Sequence, residues 1–355
     1  MIKHIFGLFV GGLLLLGDGT PAQAQQKSDV TIKVGTYGGA FDQVMMRYAG
    51  DLFTTRTGIK IQIINGNADD HLAKLVAAKG REAPYDIVFL DDGIQIKAIA
   101  AGVLGKVSAS DIPNMKFVYD EALNKDGYGP GMDLYSCGIA YNIKKFKEAG
   151  IAPPTSWADF WNPQLAGHVG IPALETTMGQ CFLAAAERLA GGDESTPEKG
   201  IAKIAEIKAQ SYPGSSATIT TLLSSGDAWM IPWLNGRVWS QIDAGQPLGY
   251  VLPKEGGYRG LTMMDVTAGT KHRAEALAFM NEIIGPLSQL GMVIEFNYGP
   301  TTNLLAPILA NYPDLAKKLP ASPADLKALN PINWEIFNAK LPKAVQLWDR
   351  QVISK

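Results

Sequence analysis

Few residues in this chain of 355 are equipped for chemistry. Its four histidines, His4, His71, His168 and His272, are far apart in the sequence. Cys137 and Cys181 stand in no Cys-x-x-Cys or Cys/His cluster, so a zinc site is not indicated and no cofactor is expected. No Gly-x-Ser-x-Gly elbow, His-Glu-x-x-His pair or phosphate loop is present. An acid or serine dyad assembled only in space leaves a secreted enzyme as a remote alternative. The more suggestive residues are acids and aromatics next to turns. Asp91 and Asp92 follow the apolar run Ile87-Val88-Phe89-Leu90. Two adjacent carboxylates at a strand end suit a cation, and one of them suits equally well the capping of a following helix. Gly38 and Gly39 follow Tyr37 and let the backbone approach a ligand closely. Glu175 falls just before a helix, where a negative charge complements the helix dipole. Arg237, if it faces a cleft, implies a ligand with a carboxylate or phosphonate.

These residues need a scaffold, and the hydrophobic pattern supplies one. Val30 to Val34 alternates as a strand and ends in Gly35-Thr36-Tyr37-Gly38-Gly39. A helix is expected from about Asp42 to Arg56, with Phe41, Met45, Tyr48 and Leu52 as its buried stripe. Gly58 stops it. Ile59 to Ile64 is β-branched and reads as a strand, His71 to Ala78 as a helix, and Asp86 to Leu90 as a third, buried strand. Strand and helix in alternation imply a parallel sheet with right-handed crossovers. Such sheets bind ligands beyond the carboxyl ends of their strands. A second α/β segment follows the strand Ser136 to Tyr141. It contains strands at His168 to Pro172, Ala228 to Pro232 and Gly249 to Leu252, and helices at Gly179 to Ala190 and Ala217 to Leu223. A later helix spans Arg273 to Ile284.

Composition narrows the class. Lys and Arg total 32 against 34 Asp and Glu, and this balance argues against a nucleic-acid partner, which needs a basic face. Residues 1–24 have the layout of a secretory signal peptide: Lys3 and His4, an apolar run from Ile5 to Leu16, then Ala22-Gln23-Ala24 with cleavage expected after Ala24. The expected compartment is the periplasm. An oxidising compartment permits a Cys137–Cys181 disulfide, but two residues in a sequence do not establish the spacing it needs. Free, buried thiols are the favoured expectation.

Several ordered segments resemble the periplasmic solute-binding proteins of ABC importers, of the spermidine/putrescine-binding type. They are Tyr85 to Leu104, Gly138 to Asn142, Pro154-Thr155-Ser156-Trp157-Ala158-Asp159-Phe160-Trp161, Gly226-Asp227-Ala228-Trp229, Tyr250 to Gly256 and Tyr298-Gly299-Pro300-Thr301-Thr302-Asn303. The resemblance implies a two-lobe α/β fold (type II-like), each lobe a mainly parallel sheet flanked by helices. Lobe one would take residues 28–136 and 266–303, and lobe two 141–262 and 304–355. The hinge would fall near 136–140 and 262–265.

The resemblance also implies a site. Tyr37 stands where polyamine binders use an aromatic residue. Asp91 or Asp92 replaces a small hydroxyl residue. Glu175 lies where related proteins hold an amine with acids. Trp233 and Asn235 lie near the family's cleft-wall tryptophan, and Tyr298 lies in the closing loop. Asp265 takes the place of the acid in a Trp-x-Asp segment at the second crossing, with Met263 in place of its tryptophan. The expected function is reversible capture of a small organic amine (a polyamine, a diamine or an amino-acid-like zwitterion) by a monomer that delivers it to ABC importer membrane subunits. The alternative on the same scaffold is ferric iron or an anion such as a phosphonate.

Overall fold

The computed structural model describes residues 28–354. The expected signal peptide, residues 1–24, lies outside them. Ten strands form one curled, mixed sheet: β1 (Thr31–Thr36), β2 (Lys60–Asn65), β3 (Ile87–Asp91), β4 (Gly131–Asn142), β5 (Val169–Gly170), β6 (Ala209–Ser211), β7 (Met230–Leu234), β8 (Leu248–Val251), β9 (Tyr258–Val266) and β10 (Gly299–Pro300). Their order is β2-β1-β3-β9-β4-β7-β5-β6, and β8 and β10 also pair with β4. At one end β1 pairs in parallel with β2 and β3. At the other β5 pairs in parallel with β6 and β7. The pairs between, β3–β9, β9–β4 and β4–β7, are antiparallel. The expected mainly parallel lobes are therefore stitched together by two long strands that run from one to the other.

Two cores sit at the two ends. The first gathers Ile32, Val34, Met45, Phe53, Phe89, Met264 and Phe279. The second gathers Trp157, Phe160, Phe182, Ile231, Trp233 and Trp348. Along β4 the packing changes from the first core at Leu134 to the second at Tyr135, and along β9 from the second at Tyr258 to the first at Leu261. At the C-terminus, Leu305, Leu309 and Leu319 pack with Val293, and Leu326 joins the first core. From Ile332 onward the chain instead joins the second core, through Ile332, Phe337, Ala344, Trp348 and Val352.

The helix after β1 starts at Ala40 and runs to Thr57, with a π turn at Met46–Gly50. A π turn inserts one residue and rotates everything after it by about 100°. Ala49 and Phe53 therefore follow Met45 into the core, while Leu52, expected there, is 49 % exposed. Cys137 and Cys181 are both free and buried in the second core. Among the described residues no single helix is long and apolar enough to cross a membrane.

Candidate ligand-binding cavity

A cavity of about 440 Å³ opens where the two cores meet, within the range that holds a small organic ligand. One wall comes from the turn after β1, where Gly38 and Gly39 take positive φ of 84° and 65° and carry the chain from Tyr37 to Phe41. Tyr37 meets Phe41 edge-on at 5.3 Å, Phe41 stacks with Phe296 at 6.4 Å, Phe296 with Tyr298 at 5.8 Å, and Tyr298 tilts onto Tyr135 at 6.1 Å. All five rings line the cavity. They make an apolar, π-rich box suited to a ligand's hydrocarbon and to the face-on approach of a cation.

The polar lining is sparse and of both signs. Asp91, at the end of β3, accepts a hydrogen bond from the Tyr37 hydroxyl at 3.1 Å and from the Thr177 hydroxyl at 3.4 Å. The first donor lies in the half of the molecule built on the first core and the second on a helix of the other half, so the carboxylate spans the junction. Burial pushes the Asp91 carboxyl up from its ordinary value, against the lowering effect of its two hydroxyl partners. It raises the Tyr37 phenol too, with Asp91 next in effect, so Tyr37 stays a donor.

Arg237, in the first turn of the helix Asn235–Asp243, also lines the cavity. That helix sits close because residue 236 is glycine: a Cβ there would lie 2.3 Å from the Phe296 carbonyl oxygen and 2.5 Å from the Tyr298 ring. Among the described residues Arg237 makes no ion pair. Two more helices begin at the cavity, at Thr177 and Ser216. The helix N-terminus at Ser216 and a guanidinium outside any ion pair favour an anionic group in the cavity.

The structure separates the candidates read from the sequence. Tyr37, Gly38, Asp91 and Tyr298 line the cavity, and so does Arg237. Glu175 is exposed and borders an adjoining hollow of about 40 Å³, shared with Asp69 and Asp91. Asp92 turns instead towards Trp334 on the last helix and accepts from the Gly93 N–H at 3.0 Å; burial raises its pKa to about 7.

Four of the expected residues lie away from this cavity. Asp265 is fully buried beneath the first half of the sheet. It accepts from the Gln95 amide at 3.0 and 2.9 Å and from the Gly129 N–H at 2.8 Å. The cause is strand direction. Because β9 runs antiparallel to β3, Thr262 pairs with Asp91 at the cavity, whereas Asp265 pairs with Val88. Three residues of strand carry it ~10 Å away from the ligand side. Burial lifts its pKa to about 7. Met263 packs in the first core and Trp233 in the second, behind Ser216. Asn235 is a strut: it accepts from the Ser136 N–H at 2.9 Å and donates to the Asn297 and Lys318 carbonyls at 2.8 and 3.1 Å.

Residues missed from the sequence are Phe41, Tyr135, Thr177, Ser216, Thr262 and Phe296. A clue existed for Thr262, since it opens the β-branched and apolar run that ends at Val266.

Residues 49–324 match the model of the bacterial extracellular solute-binding proteins. The chain belongs to that family. It is 27 % identical over 282 residues to the spermidine/putrescine-binding periplasmic protein of Escherichia coli K12, covering 74 % of this chain and 78 % of that one. It is 23 % identical over 348 residues to the gamma-aminobutyric acid-binding protein of Pseudomonas aeruginosa, covering 94 % and 93 %. An ABC transporter substrate-binding protein from Bradyrhizobium japonicum superposes with a TM-score of 0.77 at 22 % identity, covering 91 % of this chain and 99 % of its own.

Proposed function

We propose that the chain is the periplasmic binding component of an ABC importer, and that its ligand is a small zwitterion with an ammonium at one end and a carboxylate at the other. The carrying observation is that Asp91 and Arg237, of opposite charge, line one cavity of about 440 Å³ together with five aromatic rings. A dication would meet an uncompensated guanidinium; a simple anion would meet an uncompensated carboxylate. The ammonium would sit against Asp91 and the rings, and the carboxylate against Arg237 and the helix N-terminus at Ser216. Closing the lobes would shed water and strengthen both contacts. A ligand drives closure only by binding the closed form more tightly, and the importer would read that form.

A protein named for gamma-aminobutyric acid among the relatives supports a ligand of this length and charge. Those named for spermidine and putrescine support the ammonium half. One observation favours a longer amine as the second possibility: Asp69, Asp91 and Glu175 surround the small hollow next to the main cavity, where a second ammonium would find acids. The discriminating experiment is calorimetric titration of the purified mature protein with 4-aminobutyrate, putrescine and butyrate. Tight binding of 4-aminobutyrate with weak binding of the other two is the expected result. Putrescine binding tighter than 4-aminobutyrate would replace the zwitterion with a diamine.

A further inference from the structure

One carboxyl near the cavity has no part in the interactions above. Asp133 lies on β4, fully buried; neither oxygen makes a hydrogen bond of good geometry, and the Thr262 hydroxyl is the nearest donor, close enough to lower its pKa. Its direction follows from strand alternation. Met132 and Leu134, its neighbours, both point into the first core, so Asp133 shares the opposite face with Tyr135, whose ring lines the cavity. Its level follows from the ladder: Asp133 pairs with Thr262 on β9, and Thr262 in turn pairs with Asp91 at the end of β3. Asp133 is therefore level with Thr262 and Asp91, which line the cavity, and is itself recessed from its surface.

A fully buried carboxylate without a partner is costly, and proteins keep one only if it is neutral or if something arrives to pair with it. The groups facing Asp133 from each surrounding element are the Thr262 hydroxyl on β9, Asp91 at the end of β3, Arg237 on its helix, Tyr37 in the turn after β1, and Tyr298 before β10. One is cationic, one anionic and three are hydroxyls. We propose, resting on the zwitterion assignment above, that Asp133 is a second, recessed carboxylate of the binding site, which gives up its proton when the ligand's ammonium group is captured. The exchange is simple: the neutral acid and the ammonium become a carboxylate facing an ammonium, and the proton leaves to solvent. Burial first, then Asp91, hold the Asp133 pKa up at about 7, while Thr262 and Arg237 pull it down. A cation added in front of Asp133 lowers it further. Ligand affinity then rises with pH through neutrality, because above that range no proton must be displaced.

The test is calorimetric titration of 4-aminobutyrate at pH 7 in buffers of different ionisation enthalpy, which counts protons released per ligand. The wild-type protein should release about half a proton, as linkage gives for a group half protonated beforehand. Asp133→Asn should release clearly less and bind roughly tenfold more weakly, as expected on removing a nearby charge. An equal proton count in the two proteins overturns the proposal, whatever happens to the affinity. Should Asp133→Asn fail to fold, the wild type suffices: release that stays at zero from pH 5 to pH 8 is equally fatal. Absence of any binding of 4-aminobutyrate overturns the zwitterion assignment itself, and the role of Asp133 falls with it.

Discussion

Replacing Arg237 by methionine removes one charge and keeps the length of the side chain. A unit charge pair about 4 Å apart at an effective dielectric of about 20 is worth about 4 kcal/mol. Arg237 is exposed in this structure, so water and salt screen roughly half of that. About 2 kcal/mol remains, which is about 30-fold in Kd for a ligand whose carboxylate rests on the guanidinium. Arg237 carries no ion pair among the described residues, and the neighbouring Gly236 already fixes the helix against Phe296 and Tyr298. The fold should therefore tolerate the change, with a thermal midpoint close to wild type. The assay is titration of 4-aminobutyrate and putrescine into wild type and Arg237→Met at one salt concentration. The expected signature is an opposite response: the zwitterion weakens by about 30-fold, while the diamine is unchanged or binds better once the like charge is gone. If the zwitterion loses less than about threefold, or both ligands weaken equally, Arg237 is not the carboxylate's partner and the two-ended site is wrong.

Three other outcomes follow from named contacts. Asp265→Asn should leave ligand affinity nearly unchanged, because the side chain lies inside the sheet. It should lower stability by about 1–3 kcal/mol, since the amide keeps one acceptor for Gln95 and Gly129 but sets an NH2 against the Gln95 amide where Oδ2 accepted; chemical denaturation beside a binding titration reads both effects. Thermal stability of the ligand-free protein should fall as pH rises from about 5 to 8.5, read by differential scanning calorimetry. The sign follows from Asp92, Asp133 and Asp265, lifted to about 7, and Glu187, lifted to about 8, all chiefly by burial. Each folded-state carboxyl keeps its proton above the unfolded-state pKa, so its contribution is full below about 4 and is lost as pH climbs through 7 to 8. A midpoint that climbs over this range would show that other groups dominate. Finally, protein purified under reducing conditions should present neither Cys137 nor Cys181 to a thiol reagent until it is unfolded, when both should react; fast labelling of the native protein would place a thiol at the surface.

The fold was legible because its signals are local. The β-branched runs and the turn at Gly38-Gly39 mark the first strands, and the ordered motifs point to two lobes. The site was half legible, for the same reason. Tyr37, Gly38 and Asp91 follow directly on parallel strands, and for a parallel strand the sequence order gives the end at which a ligand must lie. Asp265 failed because its strand runs the other way. A residue after an antiparallel strand's cavity end moves deeper into the sheet with each step, and nothing in the sequence around Met263-Met264-Asp265 reveals the direction. Leu52 failed through a π turn, which adds a single residue and leaves no mark on the hydrophobic pattern before it. Tyr135 and Asp133 were hidden differently. They lie on a strand buried along almost its whole length, where no polar alternation separates a cavity face from a core face, and only the contacts of Met132 and Leu134 tell the two faces apart. The residues most informative about charge thus lay where one-dimensional patterns are weakest, on long strands shared by both lobes.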